Sequence, residues 1–183
     1  MITYLPKANY QTMPWKNGKG FTSQIALGPE GAVFPNHFSW RVSSAQVNSN
    51  DPFSNFDGCD RLLMVTQGAG LSLNGNHLVP LQVISFAGET VIQAELLEGP
   101  VVDLGVIFKR DSVRAGMQVL NLSDESDLRL EGDIHFVYCL RGRLNILGHE
   151  IHAEDSVRIE SVSEVKLDGL NHSVYVLISI SKI

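Results

Sequence analysis

Residues 61–78, Arg61-Leu62-Leu63-Met64-Val65-Thr66-Gln67-Gly68-Ala69-Gly70-Leu71-Ser72-Leu73-Asn74-Gly75-Asn76-His77-Leu78, decide the fold. Arg61 to Thr66 is a short apolar run, Gln67 to Gly70 a glycine turn, and Leu71 to Leu73 the antiparallel continuation before Asn74-Gly75-Asn76 turns the chain again. Leu78 to Phe86 supplies the next strand. Runs this brief, bounded by Gly and Asn, are strands of an all-β domain, and long helical periodicity is hard to find elsewhere in the chain.

The same grammar returns in the second half. Phe136 to Leu140 is apolar, Arg141-Gly142-Arg143 predicts a turn, Leu144 and Ile146 continue, and Gly148 turns again. Gly68 and Gly142 are 74 residues apart, Gly75 and Gly148 73 apart. The shorter offset also brings Leu71 onto Leu144, Leu73 onto Ile146, Leu78 onto Ile151, Ile84 onto Val157 and Phe86 onto Ile159. Two copies of one unit predict two similar β-barrels or sandwiches in one chain, since closing the sheets removes the exposed edges of short strands. The acidic segment Leu120 to Asp133 is the expected connector. It separates an N-terminal barrel over residues 1–119 from a smaller C-terminal one over 120–183, completed by strands exchanged with the first half.

Two other strands carry polar groups. In Phe38 to Val47, a period of two places Phe38, Trp40 and Val42 on one face and Ser39, Arg41 and Ser43 on the other. Val101 to Phe108 is apolar apart from Asp103 and Gly105 and reads as a central strand buried on both faces, where an acidic group needs a partner. Arg61 follows a turn-rich approach, Asp51 to Asp60. If Arg41 and Arg61 both point into a barrel, each needs a carboxylate, because an unpaired buried cation is strongly unfavourable. Asp103 can serve one and a ligand acid the other. In the alternative, Asp57 or Asp60 pairs Arg61 in a surface turn of little energetic worth.

The loop Met13-Pro14-Trp15-Lys16-Asn17-Gly18-Lys19-Gly20 joins an aromatic plate, cations and an amide ahead of a strand over Phe21 to Leu27. Trp15 could stack on a planar ligand, Lys16 could attract a carboxylate, and Asn17 offers a donor and an acceptor. The alternative is a solvent-exposed turn in which Trp15 plugs a barrel end.

Composition narrows the function classes. The 183 residues are 44% hydrophobic and 19% charged, those of an ordinary soluble globular chain. Fourteen basic against twenty acidic side chains, net −6, argue against a nucleic-acid partner. Residues 1–61 nonetheless carry +1 against −7 for the remainder, a hint of where an anion would dock. Two cysteines, Cys59 and Cys139, predict reduced thiols, and Asp60 beside Cys59 argues against a reactive thiolate. No secretory pattern and no run of about eighteen apolar residues occurs, so a cytoplasmic location without a membrane partner is expected. Of six histidines only His149 and His152 lie close together and no His-x-His pair exists, so neither a metal nor a cofactor is expected. With no Gly-x-Ser-x-Gly elbow and no phosphate loop, no catalytic residue is assigned, and binding is favoured over chemistry.

Four stretches together resemble the HutD/Ves family of the cupin superfamily: Met13-Pro14-Trp15-Lys16-Asn17-Gly18; Phe38-Ser39-Trp40-Arg41-Val42-Ser43 with Ala45; Pro52-Phe53-Ser54-Asn55-Phe56-Asp57-Gly58-Cys59-Asp60-Arg61-Leu62; and Gly99-Pro100-Val101-Val102-Asp103. The resemblance implies a bicupin of two jelly-roll barrels. It also implies an accessory or regulatory role in bacterial histidine utilisation or stress, binding small acids such as urocanate or formylglutamate, with no established catalytic activity. Lys19 stands where the family usually has glycine, Asp57 where it has proline, and Gly105 where asparagine is common. Joined to the residue-level reading, the expected ligand site is Arg61 as carboxylate clamp, helped by Arg41, Lys16 and Asn17. Thr22, Ser43 and Ser54 would donate hydrogen bonds, Trp15 or Phe56 would form a flat wall, and Asp103 would neutralise one guanidinium. A metal-independent isomerase or lyase using Asp60 or Asp103, or an interaction module with an exposed apolar patch, are the rival readings. Self-association as a homodimer is left open.

Overall fold

The computed structural model describes residues 1–15 and 18–183, with Leu170 and Asn171 described by their backbone alone. The chain opens with β1 (Ile2–Leu5) and a 3-10 turn at Lys7–Asn9. Then follow β2 (Gln11–Pro14), β3 (Gly20–Gly28), β4 (Trp40–Val47), β5 (Asp51–Pro52), β6 (Cys59–Gln67), β7 (Leu71–Leu73), β8 (Asn76–Leu78), β9 (Val83–Ala87), β10 (Gln93–Leu96) and β11 (Val101–Lys109). The remainder is β12 (Val113–Leu122), β13 (Glu125–Arg129), β14 (Ile134–Ile146), β15 (His149–His152), β16 (Ser156–Glu160) and β17 (Glu164–Lys182). The all-β expectation holds.

Two compact units divide the chain: Gln11–Val113, and Arg114–Ile183 together with Met1–Tyr10. The division falls after Val113 rather than after residue 119. The first ten residues go with the C-terminal unit because β1 pairs antiparallel with β16, from Ile2↔Ile159 to Leu5↔Ser156. The N-terminal unit holds a six-stranded sheet, β2-β3-β4-β11-β6-β9, and a four-stranded sheet, β5-β10-β7-β8. Apolar side chains from both, among them Val47, Leu63, Val65, Leu71, Leu78, Ile92 and Val101, form one buried cluster. The C-terminal unit holds one seven-stranded sheet along β1-β16-β14-β17-β12, with β13 on β17 and β15 on β14, around Val137, Leu144, Ile146, Ile151, Ile159, Leu167 and Leu177. Among the described residues no sheet closes on itself, so the expected barrels are packed open sheets.

Four local expectations are corrected. Gln67 to Gly70 does not join a hairpin: β6 pairs with β9 and β11, whereas β7 pairs with β8 and β10, so this segment carries the chain from one sheet to the other. Leu78 to Phe86 is broken at Pro80 and at Leu81, whose φ of 67° interrupts the extended backbone between β8 and β9. Arg141-Gly142-Arg143 is not a turn; β14 continues through it, and the shift in register there marks a bulge that Gly142 absorbs at φ 80°. Leu120 to Asp133 is not a loose connector but the end of β12 followed by β13, a largely exposed strand whose Glu125 pairs with Lys166 at 2.7 Å.

The internal repeat has a structural counterpart. Leu71↔Leu78 and Leu144↔Ile151 are the equivalent pairs of two hairpins. Their two-residue loops, Asn74-Gly75 and Leu147-Gly148, both lie at positive φ (50° and 83°; 51° and 83°). Such turns match the right-handed twist of the flanking strands. Leu63↔Ile84 on β6 and β9 likewise has its equivalent in Val137↔Val157 on β14 and β16.

Asp155, only 8% exposed, fixes the N-terminal segment within its unit. Its carboxylate accepts hydrogen bonds from the Tyr4 hydroxyl (2.6 Å), the Lys7 amide (2.8 Å) and the His152 amide (3.2 Å). Asp155→Ala leaves these donors without their acceptor and is expected to lower unfolding free energy by about 3 kcal/mol in urea denaturation. Lys7→Ala, which removes only the exposed ion pair to Glu154, should cost less than about 1 kcal/mol.

Candidate functional site

The site is built on β11. Its inward residues Asp103, Gly105 and Ile107 face a cavity of about 610 Å³ in the N-terminal unit, alongside Arg41, Ser43 and Ala45 from β4 and Arg61 and Leu63 from β6. The register aligns them in rows: Arg41↔Ile107↔Arg61, then Ser43↔Gly105↔Leu63, then Ala45↔Asp103. Two arginines therefore stand on one face, separated by a single strand, about 9.6 Å apart at the backbone.

Among the described residues neither guanidinium has an ion-pair partner, and the ion-paired arginines there are Arg110, Arg143 and Arg158. Asp60 pairs with Arg110 at 2.9 Å, not with Arg61, and Glu89 holds the other side of Arg110 at 2.6 Å. This excludes the surface-turn alternative for Arg61. Arg41 is 6% exposed, its Nε is buried without a hydrogen-bond partner, and burial lowers its pKa to about 10, so it stays cationic at neutral pH. It lies over the Phe34 ring at 4.2 Å. Arg61 donates from Nη1 to the Ser54 carbonyl at 3.3 Å and sits over the rings of Phe53 (5.0 Å), Phe86 (5.1 Å) and Phe56 (5.7 Å). Burial lowers its pKa, opposed by the field of Asp103. Ring faces are negative, so these contacts offset part of the lost hydration, without supplying the bidentate partner that a guanidinium fork fits.

Asp103 is itself 7% exposed. Burial raises its carboxyl to about 7, against the opposing influence of Arg61 and of the Ala45 amide, which donates to Oδ1 at 3.2 Å. At the rim, Asp51 accepts a hydrogen bond from the Ser49 hydroxyl and faces the Lys19 ammonium at 3.6 Å. The Trp15 indole donates to the Thr22 hydroxyl at 2.9 Å, which fixes the ring at the cavity wall. Gly20 makes that possible, because a Cβ there would lie 2.9 Å from the Trp15 ring and overlap the Gln46 carbonyl.

Eight of the ten residues singled out from the sequence line this one cavity: Trp15, Thr22, Arg41, Ser43, Ser54, Phe56, Arg61 and Asp103. Lys16 and Asn17 lie outside the described residues. The Ser54 contact with Arg61 is made by the main-chain carbonyl instead of the hydroxyl. Sequence reasoning missed Phe34, Phe53 and Asp51 as cavity residues. Phe53 and Asp51 sit in the turn-rich approach to β6, where their role depends on how the segment folds over the cavity, and Phe34 has no periodic neighbour to betray its direction. No group of three or more His, Cys, Asp or Glu side chains gathers as metal ligands among the described residues. Both cysteines are free and buried, burial raising each thiol pKa. No described helix is long and apolar enough to cross a membrane.

The family model described as HutD matches residues 7–176. An uncharacterized 21.2 kDa protein in the hutC 3′ region of Pseudomonas putida is 34% identical over 122 residues, covering 64% of this chain and 63% of that protein. Protein Ves of Citrobacter koseri is 33% identical over 111 residues, 57% of this chain and 56% of that protein. The chain thus spans about three-fifths of the length of the curated relatives it matches. Among solved structures, HutD from Pseudomonas fluorescens SBW25, in a formate condition, superposes with a TM-score of 0.86 at 25% identity over 100% of both chains. The nickel-bound bacterial pirin YhhW from Escherichia coli, at 11% identity and TM-score 0.70 over 97% of this chain and 98% of that one, shares the cupin-like fold alone.

Asp103 keeps its proton to about pH 7 when folded, against 3.8 ordinarily, so the folded state binds more protons between those values and stability falls as pH rises through that window, then levels. Asp103→Asn should therefore gain stability relative to wild type between pH 4 and pH 7.5, by at most about 4 kcal/mol in paired urea titrations. Gly20→Ala should cost about 1–3 kcal/mol and shift Trp15 fluorescence, because the ring and the Gln46 carbonyl must both give way.

Proposed function

This chain belongs to the HutD family, and on that premise we propose that it is a small-molecule-binding accessory or regulatory protein that holds a small carboxylate in its N-terminal unit. The observation that carries this reading is the pair of inward guanidiniums, Arg41 and Arg61, in a 610 Å³ cavity, neither of them ion-paired with a carboxylate among the described residues. A ligand carboxylate supplies the two parallel acceptors that a planar guanidinium fork matches, in surroundings of low dielectric where the pairing is strong. Arg61, with three phenylalanine rings about it, is the clamp; Arg41 reinforces the field, Ser43 and Thr22 offer hydroxyls, and Trp15 and Phe56 form the walls. Urocanate and formylglutamate are the ligands of choice, within histidine utilisation in the cytoplasm. The hutC-region name of the Pseudomonas putida relative supports that setting. We read the two units, with their matching hairpins, as the halves of a bicupin.

A second reading, a metal-independent isomerase or lyase, is favoured by one observation: Asp103, with a carboxyl raised to about 7, borders the same cavity and suits proton transfer near neutral pH. Turnover of a bound acid, abolished in Asp103→Asn, would select it over simple binding.

Calorimetric titration with urocanate and formylglutamate tests the binding reading. Arg61→Ala should lower affinity by about 2–5 kcal/mol if the pair is desolvated, and unchanged affinity in a folded variant refutes the assignment. Binding of an anion favours the protonated Asp103, so affinity for a fully ionised acid should weaken as pH rises through about 7, and Asp103→Asn should flatten that dependence.

A further inference from the structure

We propose that Gly105 determines which acids the cavity admits, by leaving room beside the arginine row for a flat apolar body attached to the carboxylate; this rests on the carboxylate reading above. Gly105 lies midway along β11, between Asp103 and Ile107 on the cavity face, with Ser43 to one side and Leu63 to the other. The backbone does not require a glycine there. Its φ is not positive, and a Cβ would come no nearer than 3.4 Å to the Leu62 carbonyl and 3.6 Å to Leu63 Cδ1. Glycines that the packing does require are plain by comparison: a Cβ on Gly28 would overlap the Trp40 ring, and one on Gly88 the Phe56 carbonyl. Glycine inside a strand weakens it, so its presence without a conformational need points to the space it leaves.

The repeat supplies an internal control. Leu63 pairs with Gly105, and its equivalent Val137 pairs with Leu177. A leucine thus fills, in the C-terminal unit, the place that is empty in the N-terminal one, and it packs into the core cluster there. Successive residues on one face of a strand are about 6.7 Å apart, so the Gly105 floor lies one such step from the arginine row. An acid anchored by Arg61 would lay a group of that reach across the bare peptide planes of Gly105, with the Ser43 hydroxyl and Leu63 at its sides. A Cβ on this floor stands in the path of a ring or conjugated chain, but not of a bare carboxylate held at the arginines.

The test titrates wild type, Gly105→Ala and Gly105→Ser calorimetrically with acetate, which has no body to seat, and with trans-cinnamate, which has a flat one. Both variants should bind acetate within about twofold of wild type and cinnamate roughly tenfold or more weakly, the scale at which one added carbon discriminates. Their melting temperatures should be unchanged or higher, whereas a glycine needed for folding would lower them. Equal loss for the two acids, no loss for cinnamate, or wild-type binding of acetate without cinnamate overturns the assignment of Gly105 and leaves the carboxylate reading in place. Failure of wild type to bind either acid removes that reading, and this inference with it.

Discussion

Two positive charges held on the inner face of a sheet, with no ion-paired carboxylate at either among the described residues, are the constraint around which the N-terminal unit is arranged. A guanidinium removed from water loses hydration that only a close anion or several hydrogen bonds can replace in full. Here the replacement is partial: one carbonyl and three ring faces for Arg61, one ring face for Arg41. Three of these rings come from segments with little regular structure, Phe34 before β4 and Phe53 and Phe56 before β6, and the fourth, Phe86, comes from β9. These rings cover the charges on one side and pack into the apolar clusters on the other.

The arginines owe their positions to β11. As the strand between β4 and β6, it fixes which residues share a row, and a one-residue slip in either pairing would send Arg41 or Arg61 to the opposite face. The bulge between Val102 and Asp103 in the pairing with β6 falls next to the acidic residue, whose carboxyl borders the cavity while accepting the Ala45 amide of β4. Asp103 then moderates the local charge. With its proton the cavity carries both guanidinium charges uncompensated; without it, one is partly offset, so anion attraction is coupled to pH by the same placement that buries the acid.

Much of this was legible in the sequence because a period of two needs only local information. Arg41 and Ser43 fall on one face whatever the topology, Val101 to Phe108 is too apolar to be anything but central, and Asp103 inside it had to find a partner. The errors lie where local pattern and sheet assignment part. Gln67 to Gly70 has the composition of a hairpin turn, yet its glycines serve a crossing between sheets, where Gly68 passes so close to the Pro100 carbonyl that a Cβ would lie 2.7 Å from it. Gly142 looks the same in one dimension and proves to be a bulge within a continuous strand. The acidic Leu120 to Asp133 reads as a linker because an exposed edge strand and a linker favour the same charges. Only the partner strand, β17, tells them apart.

The C-terminal unit carries the equivalent hairpins around a packed interior. By the offset that equates Leu63 with Val137, the place of Arg61 is taken by His135, 1% exposed, with neither ring nitrogen hydrogen-bonded among the described residues. Ile107 becomes Ser179, Asp103 becomes Tyr175 and Gly105 becomes Leu177. Large apolar or aromatic groups thus replace the acid and the glycine, and the space they fill is core. On these two paired strands the packed interior and the open, cationic one differ at four side chains, to which β4 adds Arg41 in the N-terminal unit.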